Sequence, residues 1–178
     1  GKHVYLDKPL STDCDCADRI VEAARDSRAF GQMVLHNRFF PATLRAKQLM
    51  ESGDVGEILS FSCRYLHSGS IDPDRPVGWK QGLEGGVLLD LGSHALDLAT
   101  WLIGEQPASI LCAMRTLFAR RPAKDGGFEE ALAEDHVLMT LRLKGGALGT
   151  VEASKIATGA SDELILEIRG TRGALQWN

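Results

Sequence analysis

Strand-like segments dominate the last part of the chain: Ser109 to Phe118, His136 to Leu143, Ala147 to Ser154 and Glu163 to Gly170, with Lys144-Gly145-Gly146 as turn material. Segments this short cannot bury themselves singly, so they must share a sheet. In chain order they read as an antiparallel meander. Upstream, Glu57 to His67 sets apolar Ile58, Phe61, Cys63 and Tyr65 among polar residues, which suits a strand of a sheet with one wet face. Helices must then cover the other face. One spans Pro41, Leu44, Ala46, Leu49 and Met50 and stops at Gly53; another is opened by Gly85-Gly86, runs to Trp101-Leu102-Ile103 and stops at Gly104. The expected fold class is α+β, an open and mostly antiparallel sheet with helices on one face. Apolar side chains on the open face would still need cover, and a second copy packing sheet to sheet would supply it.

A different order precedes this domain. His3-Val4-Tyr5-Leu6 reads as a strand ending at Asp7-Lys8-Pro9. Thr12, with Asp15 three residues on, reads as the cap of a helix whose apolar face is Ile20, Val21 and Ala24 and whose end lies near Ser27. Gln32-Met33-Val34-Leu35 is the next strand, followed by His36-Asn37-Arg38. Strand, helix, strand makes a βαβ unit with a parallel pair and a right-handed crossover. The expected organisation is residues 1–38 as a terminal βαβ segment and residues 39–178 as a substrate-binding and oligomerisation domain. Ser68 to Glu84 and Ala119 to Glu134 read as irregular, the latter as a mobile loop.

Composition narrows the partners. With 20 Lys+Arg against 24 Asp+Glu, the net charge of −4 comes with no basic stripe, so nucleic acid is not an expected partner. No apolar run approaches the roughly 18 residues of a membrane span, and the N-terminus lacks a signal-peptide pattern. Cys14, Cys16, Cys63 and Cys112 have neither zinc-site spacing nor the density of a disulfide scaffold. A reducing, cytoplasmic setting follows as the expectation.

The residues richest in chemistry are Asp90, His94 and Asp97. Their spacing sets three titratable groups on one helical stripe, where an imidazole beside carboxylates can move the proton of an alcohol. A metal reading of the stripe would need further ligands, His67 or His136 for example, and no metal signature supports it. Lys8 lies just past a strand end, where open α/β sheets bind ligands, with its backbone restricted by Pro9. Asn37-Arg38 follows the next strand end and Trp79-Lys80 precedes the helix, so all of these could converge on one cleft.

The residues also resemble a known family. Gly1-Lys2-His3-Val4-Tyr5-Leu6-Asp7-Lys8-Pro9-Leu10 is similar to the Glu-Lys-Pro segment of the Gfo/Idh/MocA oxidoreductases, the glucose-fructose oxidoreductase and inositol dehydrogenase family. Gly85-Gly86 through Asp97 resembles its Gly-Gly-x-x-x-Asp-x-Gly-x-His-x-x-Asp motif, and His36-Asn37-Arg38-Phe39 with Pro41 matches the segment between. The likeness runs to Gly170-Thr171-Arg172-Gly173.

The resemblance implies an NAD- or NADP-dependent oxidoreductase acting on the CH-OH groups of a sugar, cyclitol or related polyol. It implies catalytic roles for Lys8, Asp90 and His94, with His94 as general acid/base, and substrate contacts from Arg38, Trp79, Lys80 and Asp97. Lys8, Pro9 and Asn37 would face the cofactor, no metal is implied, and a homo-oligomer, dimer or tetramer, would form through the open sheet face. Asp7 stands where the family has Glu, and no G-x-G-x-x-G follows a strand. The expectation is therefore a C-terminal portion of such an enzyme that lacks most of the Rossmann domain, stops short of the family's closing segment, has an incomplete dinucleotide site and is inactive alone. The alternative expectation is a non-catalytic oligomerisation or binding module.

Overall fold

In the computed structural model, which describes residues 1–78, 82 and 85–178, the chain divides into two units, Gly1–His36 and Asn37–Asn178. In the smaller, β1 (Val4–Asp7), α1 (Cys14–Asp26) and β2 (Gly31–Val34) form the expected βαβ unit, with Val4 opposite Gly31 and Asp7 opposite Val34 in a parallel pair. The cap of α1 is Asp13 rather than Thr12: its carboxylate accepts the Cys16 amide at 2.8 Å, while the Ser11 hydroxyl takes the Asp13 amide at 3.1 Å. Those bonds from Cys16 hold the Asp13 carboxyl below its ordinary range. Ile20, Val21 and Ala24 face an apolar groove shared with Leu6, Phe30 and Met33.

A 3-10 turn, His36–Phe39, leads into the larger unit, which continues into α2 (Pro41–Glu51), where Pro41 sits in the first turn and sacrifices no helical donor. Then come β3 (Ile58–Leu66), a π-helical turn (Leu88–Gly92), α3 (Ser93–Ile103), β4 (Pro107–Arg115), β5 (Arg120–Pro122), β6 (Phe128–Glu130), β7 (His136–Leu143), β8 (Leu148–Ser154), β9 (Glu163–Gly170) and β10 (Ala174–Trp177). The main sheet has the order β10-β9-β3-β8-β7-β4, antiparallel throughout except for β3 beside β8.

The meander therefore holds only for β4, β7 and β8. β3 enters between β8 and β9, and its inward residues explain why: Phe61 and Cys63 are buried, which suits a central strand. The register sets Phe61 opposite Gly149, where a Cβ would lie 2.3 Å from the Phe61 ring. Only glycine fits beneath that ring. Burial also pushes the Cys63 thiol up to about 12, so it packs as an inert small hydrophobe.

α3 covers one sheet face with buried Ala95, Leu98, Ala99 and Leu102, set against Val137, Met139, Leu141, Val151 and Ile168. Each such leucine or isoleucine contributes about 1.5–3 kcal/mol. The open face presents apolar and polar side chains together. β7 alternates its buried residues with exposed Leu138, Thr140 and Arg142, and β8 alternates likewise with exposed Leu148 and Thr150.

The interval read as a mobile loop is instead organised by the β5–β6 hairpin, and its anchor is Arg121, fully buried. The Arg121 guanidinium donates to the carbonyls of Ser70 at 2.6 Å and Asp72 at 2.8 Å, lies 3.8 Å from the Asp135 carboxylate and stacks on Phe118. A buried cation must be met by acceptors, and here they come from the irregular 68–75 segment. Among the described residues no helix is long and apolar enough to cross a membrane, and the four cysteines are free thiols.

The Gly85-Gly86 pair has a local cause. Gly86 has φ +101°, and a Cβ there would lie 2.4 Å from the Glu134 carboxylate. That carboxylate accepts the Leu88 amide at 2.8 Å, and the Glu134 carbonyl accepts the Val87 amide at 3.0 Å. Gly86→Ala is expected to cost about 1–3 kcal/mol, through a strained backbone and a displaced cap. Urea unfolding should show a lower midpoint at unchanged slope; an unchanged midpoint would refute this reading of the pair.

Candidate active site

The turn before α3 decides which side chains meet. The Ser93 amide bonds back to the Leu88 carbonyl, a five-residue step that widens the helix there, and α3 then continues at the ordinary pitch. The extra residue shifts the phase between Asp90 and Asp97, and the expected single stripe is divided. Asp90 lines one cleft and Asp97 another groove, while His94 is buried one turn after Asp90 against Tyr65.

The first cleft, of roughly 250 Å³, is lined by His67, Ser70, Arg75, Asp90, Lys155 and Asp162 among others. Asp90 Oδ2 lies 2.9 Å from Lys155 Nζ, with the two side chains 16% and 12% exposed. Lys155 directly follows β8, and its backbone is fixed on both sides: its amide donates to Asp135 O at 2.8 Å and its carbonyl accepts the Ser70 amide at 2.8 Å. His94 is buried in the first turn of α3, with the Tyr65 ring of β3 at 6.3 Å between centroids and tilted by 54°. Burial pushes the Tyr65 hydroxyl up, reinforced by the charge of Asp162, by its hydrogen bond to that carboxylate and by the charge of Asp90. Tyr65 thus stands beside both motif residues. His67 Nδ1 accepts the Gly69 amide at 2.6 Å, and Arg75 donates to the Gly69 carbonyl, which shapes the wall.

This is a small space crowded with donors and acceptors of both charges. It suits a molecule whose own groups both donate and accept, as hydroxyls do. An imidazole beside a held carboxylate can take or return a hydroxyl proton.

The second groove, of roughly 590 Å³, contains Arg38, Lys47, Asp97 and Trp101. Arg38 donates through Nε to Asp97 Oδ2 at 2.8 Å and through a second nitrogen to Oδ1, a bidentate pair that raises the Arg38 pKa further. Arg38 and Lys47 both approach the Trp101 ring, at 5.4 and 5.2 Å from its centroid. Arg38 and Asp97 are thus engaged with each other, pinning the 3-10 turn to α3. Asn37 beside them is buried, with no hydrogen-bond partner for its Nδ2 among the described residues.

In the smaller unit, Lys8 follows β1 and its amide donates to the Asp7 carboxylate at 2.8 Å, with a cis peptide to Pro9. Trp79 and Lys80 lie outside the described residues. A dinucleotide's phosphates would need free amides at a helix N-terminus after a strand. The β1–α1 turn does not fit them, because the Asp13 carboxylate already occupies that end of α1 through the Cys16 amide. Among the described residues no group of three or more His, Cys, Asp or Glu is placed to hold a metal ion.

Arg75, Lys155 and Asp162 in the cleft, and Tyr65 against His94, were not among the expected site residues. Two signals were available: Tyr65 takes an inward position at the end of β3 while carrying a hydroxyl, and Lys155 follows the carboxyl end of β8. Neither marks a site until β3 is known to lie beside β8.

Residues 43–176 match the family model described as the GFO/IDH/MocA C-terminal domain. The chain is 32% identical to the levoglucosan dehydrogenase of Pseudarthrobacter phenanthrenivorans, covering 100% of this chain and 50% of that protein. It is 28% identical to the myo-inositol 2-dehydrogenase of Thermotoga maritima, covering 98% and 48%. Its structure superposes on an oxidoreductase domain protein from Kribbella flavida with a TM-score of 0.97 at 27% identity, covering 99% of this chain and 50% of the other. The corresponding values for a levoglucosan dehydrogenase in complex with NADH and L-sorbose are 0.95 and 32%, covering 100% and 48%. The chain spans about half the length of the curated relatives it matches.

Proposed function

The chain belongs to the Gfo/Idh/MocA family, and from that premise we propose that it provides the polyol-binding and proton-transfer part of an NAD- or NADP-dependent dehydrogenase acting on a sugar, cyclitol or related polyol. The observation that carries the reading is the cluster around Asp90: Lys155 lies against its carboxylate, and Tyr65, which feels the charge of Asp90, has its ring against that of His94. The names of the relatives, levoglucosan and inositol dehydrogenases, support the same substrate class.

In this reading the Asp90 carboxylate accepts a hydrogen bond from a substrate hydroxyl and orients it. His94 takes the hydroxyl proton as the carbinol is oxidised and returns it in the reverse direction. A bound nicotinamide supplies the hydride acceptor. The β1–α1 turn offers that cofactor's phosphates no cradle, so the chemistry derived for this chain is the proton half alone. Lys8 keeps the substrate and nicotinamide contact that its motif implies, and a second copy packing on the open sheet face makes the oligomer. The free thiols suit a cytoplasmic setting.

Calorimetric titration with myo-inositol, levoglucosan and L-sorbose tests the reading without any cofactor. At least one should bind saturably, and Asp90→Asn should weaken it about 10- to 100-fold, the worth of a hydrogen bond to a charged group. Binding of none of the three, or equal binding by Asp90→Asn, would contradict the proposal.

A further inference from the structure

We infer that Lys155 is a positioning residue for Asp90: its ammonium holds the carboxylate ionised and fixes its orientation toward the cleft. This rests on the reading of the Asp90 cleft as a polyol site. Three observations carry it. The Nζ–Oδ2 distance of 2.9 Å is that of a charge-assisted hydrogen bond. Both side chains are largely withdrawn from water, at 12% and 16% exposure, so salt does not screen the pair as it would on the surface. And Lys155 is held by its own backbone, bonded to Asp135 and to Ser70, so its ammonium is delivered by the end of β8 rather than by a wandering side chain.

Several other charged or titratable groups face the same cleft or contact Asp90's neighbours. They are Tyr65 and His67 from β3, Arg75 from the irregular segment, Asp162 ahead of β9 and His94 on α3. Of these, Asp162 works against the role assigned to Lys155, because its charge disfavours a second carboxylate nearby, so the ionised form of Asp90 calls for a local cation. Among the described residues, Lys155 is a cation in direct contact with it. The division of labour follows: Asp90 orients the hydroxyl as an acceptor, and proton movement is left to His94.

The test is the carboxyl carbon resonance of Asp90, assigned with Asp90→Asn and followed against pH in wild type, Lys155→Met and Lys155→Arg, with amide spectra confirming that each variant is folded. The titration midpoint should move upward in Lys155→Met and return toward the wild-type position in Lys155→Arg. Polyol affinity should fall at least about 10-fold in Lys155→Met. An Asp90 midpoint that is the same in wild type and Lys155→Met would overturn the inference. A wild-type protein that binds no polyol but shows the Lys155-dependent titration would instead sink the proposed function and leave the electrostatic role of Lys155 standing.

Discussion

In the nicotinamide-dependent dehydrogenase of which this chain is proposed to be the polyol-binding part, His94→Gln is expected to lower turnover by about 10²- to 10⁴-fold, the usual worth of a positioned general acid or base. Glutamine approximates the size of the imidazole and can still hydrogen-bond, but it cannot exchange a proton near neutral pH. The side chain is only 5% exposed and packs near the Tyr65 ring, so a close volume match matters for keeping the first turn of α3 in place. Because Asp90 and Lys155 stay intact, KM should change little while kcat falls. That split marks a group acting on the transition state rather than on ground-state binding. The limb of the pH profile that reports His94 should also disappear. Turnover within a few-fold of wild type would remove His94 from the proton path.

Arg121→Met should produce the largest loss of stability, about 3–5 kcal/mol, the range for removing one partner of a buried charged network. The guanidinium is fully buried and meets two carbonyls and the Asp135 carboxylate, itself 4% exposed. Truncation leaves those acceptors without their donor and Asp135 as a buried charge sustained by the Leu117 amide at 3.0 Å. Adding Asp135→Asn should recover part of the loss, since the uncompensated charge is then gone. Urea unfolding of the single and double variants measures both numbers; a single-variant loss below about 1 kcal/mol would show that the network carries little. The same change should also reach the cleft. Ser70, whose carbonyl Arg121 holds, contributes to the wall and bonds the Lys155 backbone.

The parts of this molecule that were legible in the sequence share a physical property: each is set by residues close together in the chain. The βαβ unit, the start of α2 at Pro41, the stop of α3 at Gly104 and the β7–β8 turn all depend on local capping and turn chemistry. The Gly85-Gly86 to Asp97 motif was legible for the same reason, and Gly86 does need its positive φ. What was not legible depends on partners far away. The insertion of β3 between β8 and β9 is a choice among strands of similar apolar character, settled by contacts such as Phe61 over Gly149. An ordinary helix was expected at Leu88–Gly92, and the π turn that parts Asp90 from Asp97 has no spacing signature of its own. Arg121 read as one more polar residue in a loop, because nothing local shows that carbonyls of Ser70 and Asp72 will meet it. Lys155 and Tyr65 escaped notice likewise: their importance comes from the parallel β3–β8 pair, which sets Tyr65 opposite Ala153 and Leu66 opposite Ser154.

Two grooves compete for the substrate within the larger unit, and they make opposite claims about the motif. The larger contains the mutually paired Arg38 and Asp97; the smaller contains Asp90 and Lys155, with His94 adjoining through Tyr65. A crystal structure with a bound polyol decides between them. The ligand should sit in the smaller cleft, with one hydroxyl within about 2.6–3.2 Å of both the Asp90 carboxylate and a ring nitrogen of His94. A polyol seated instead between Arg38 and Trp101, with the Arg38–Asp97 pair opened to receive it, would overturn the roles given to Asp90 and His94.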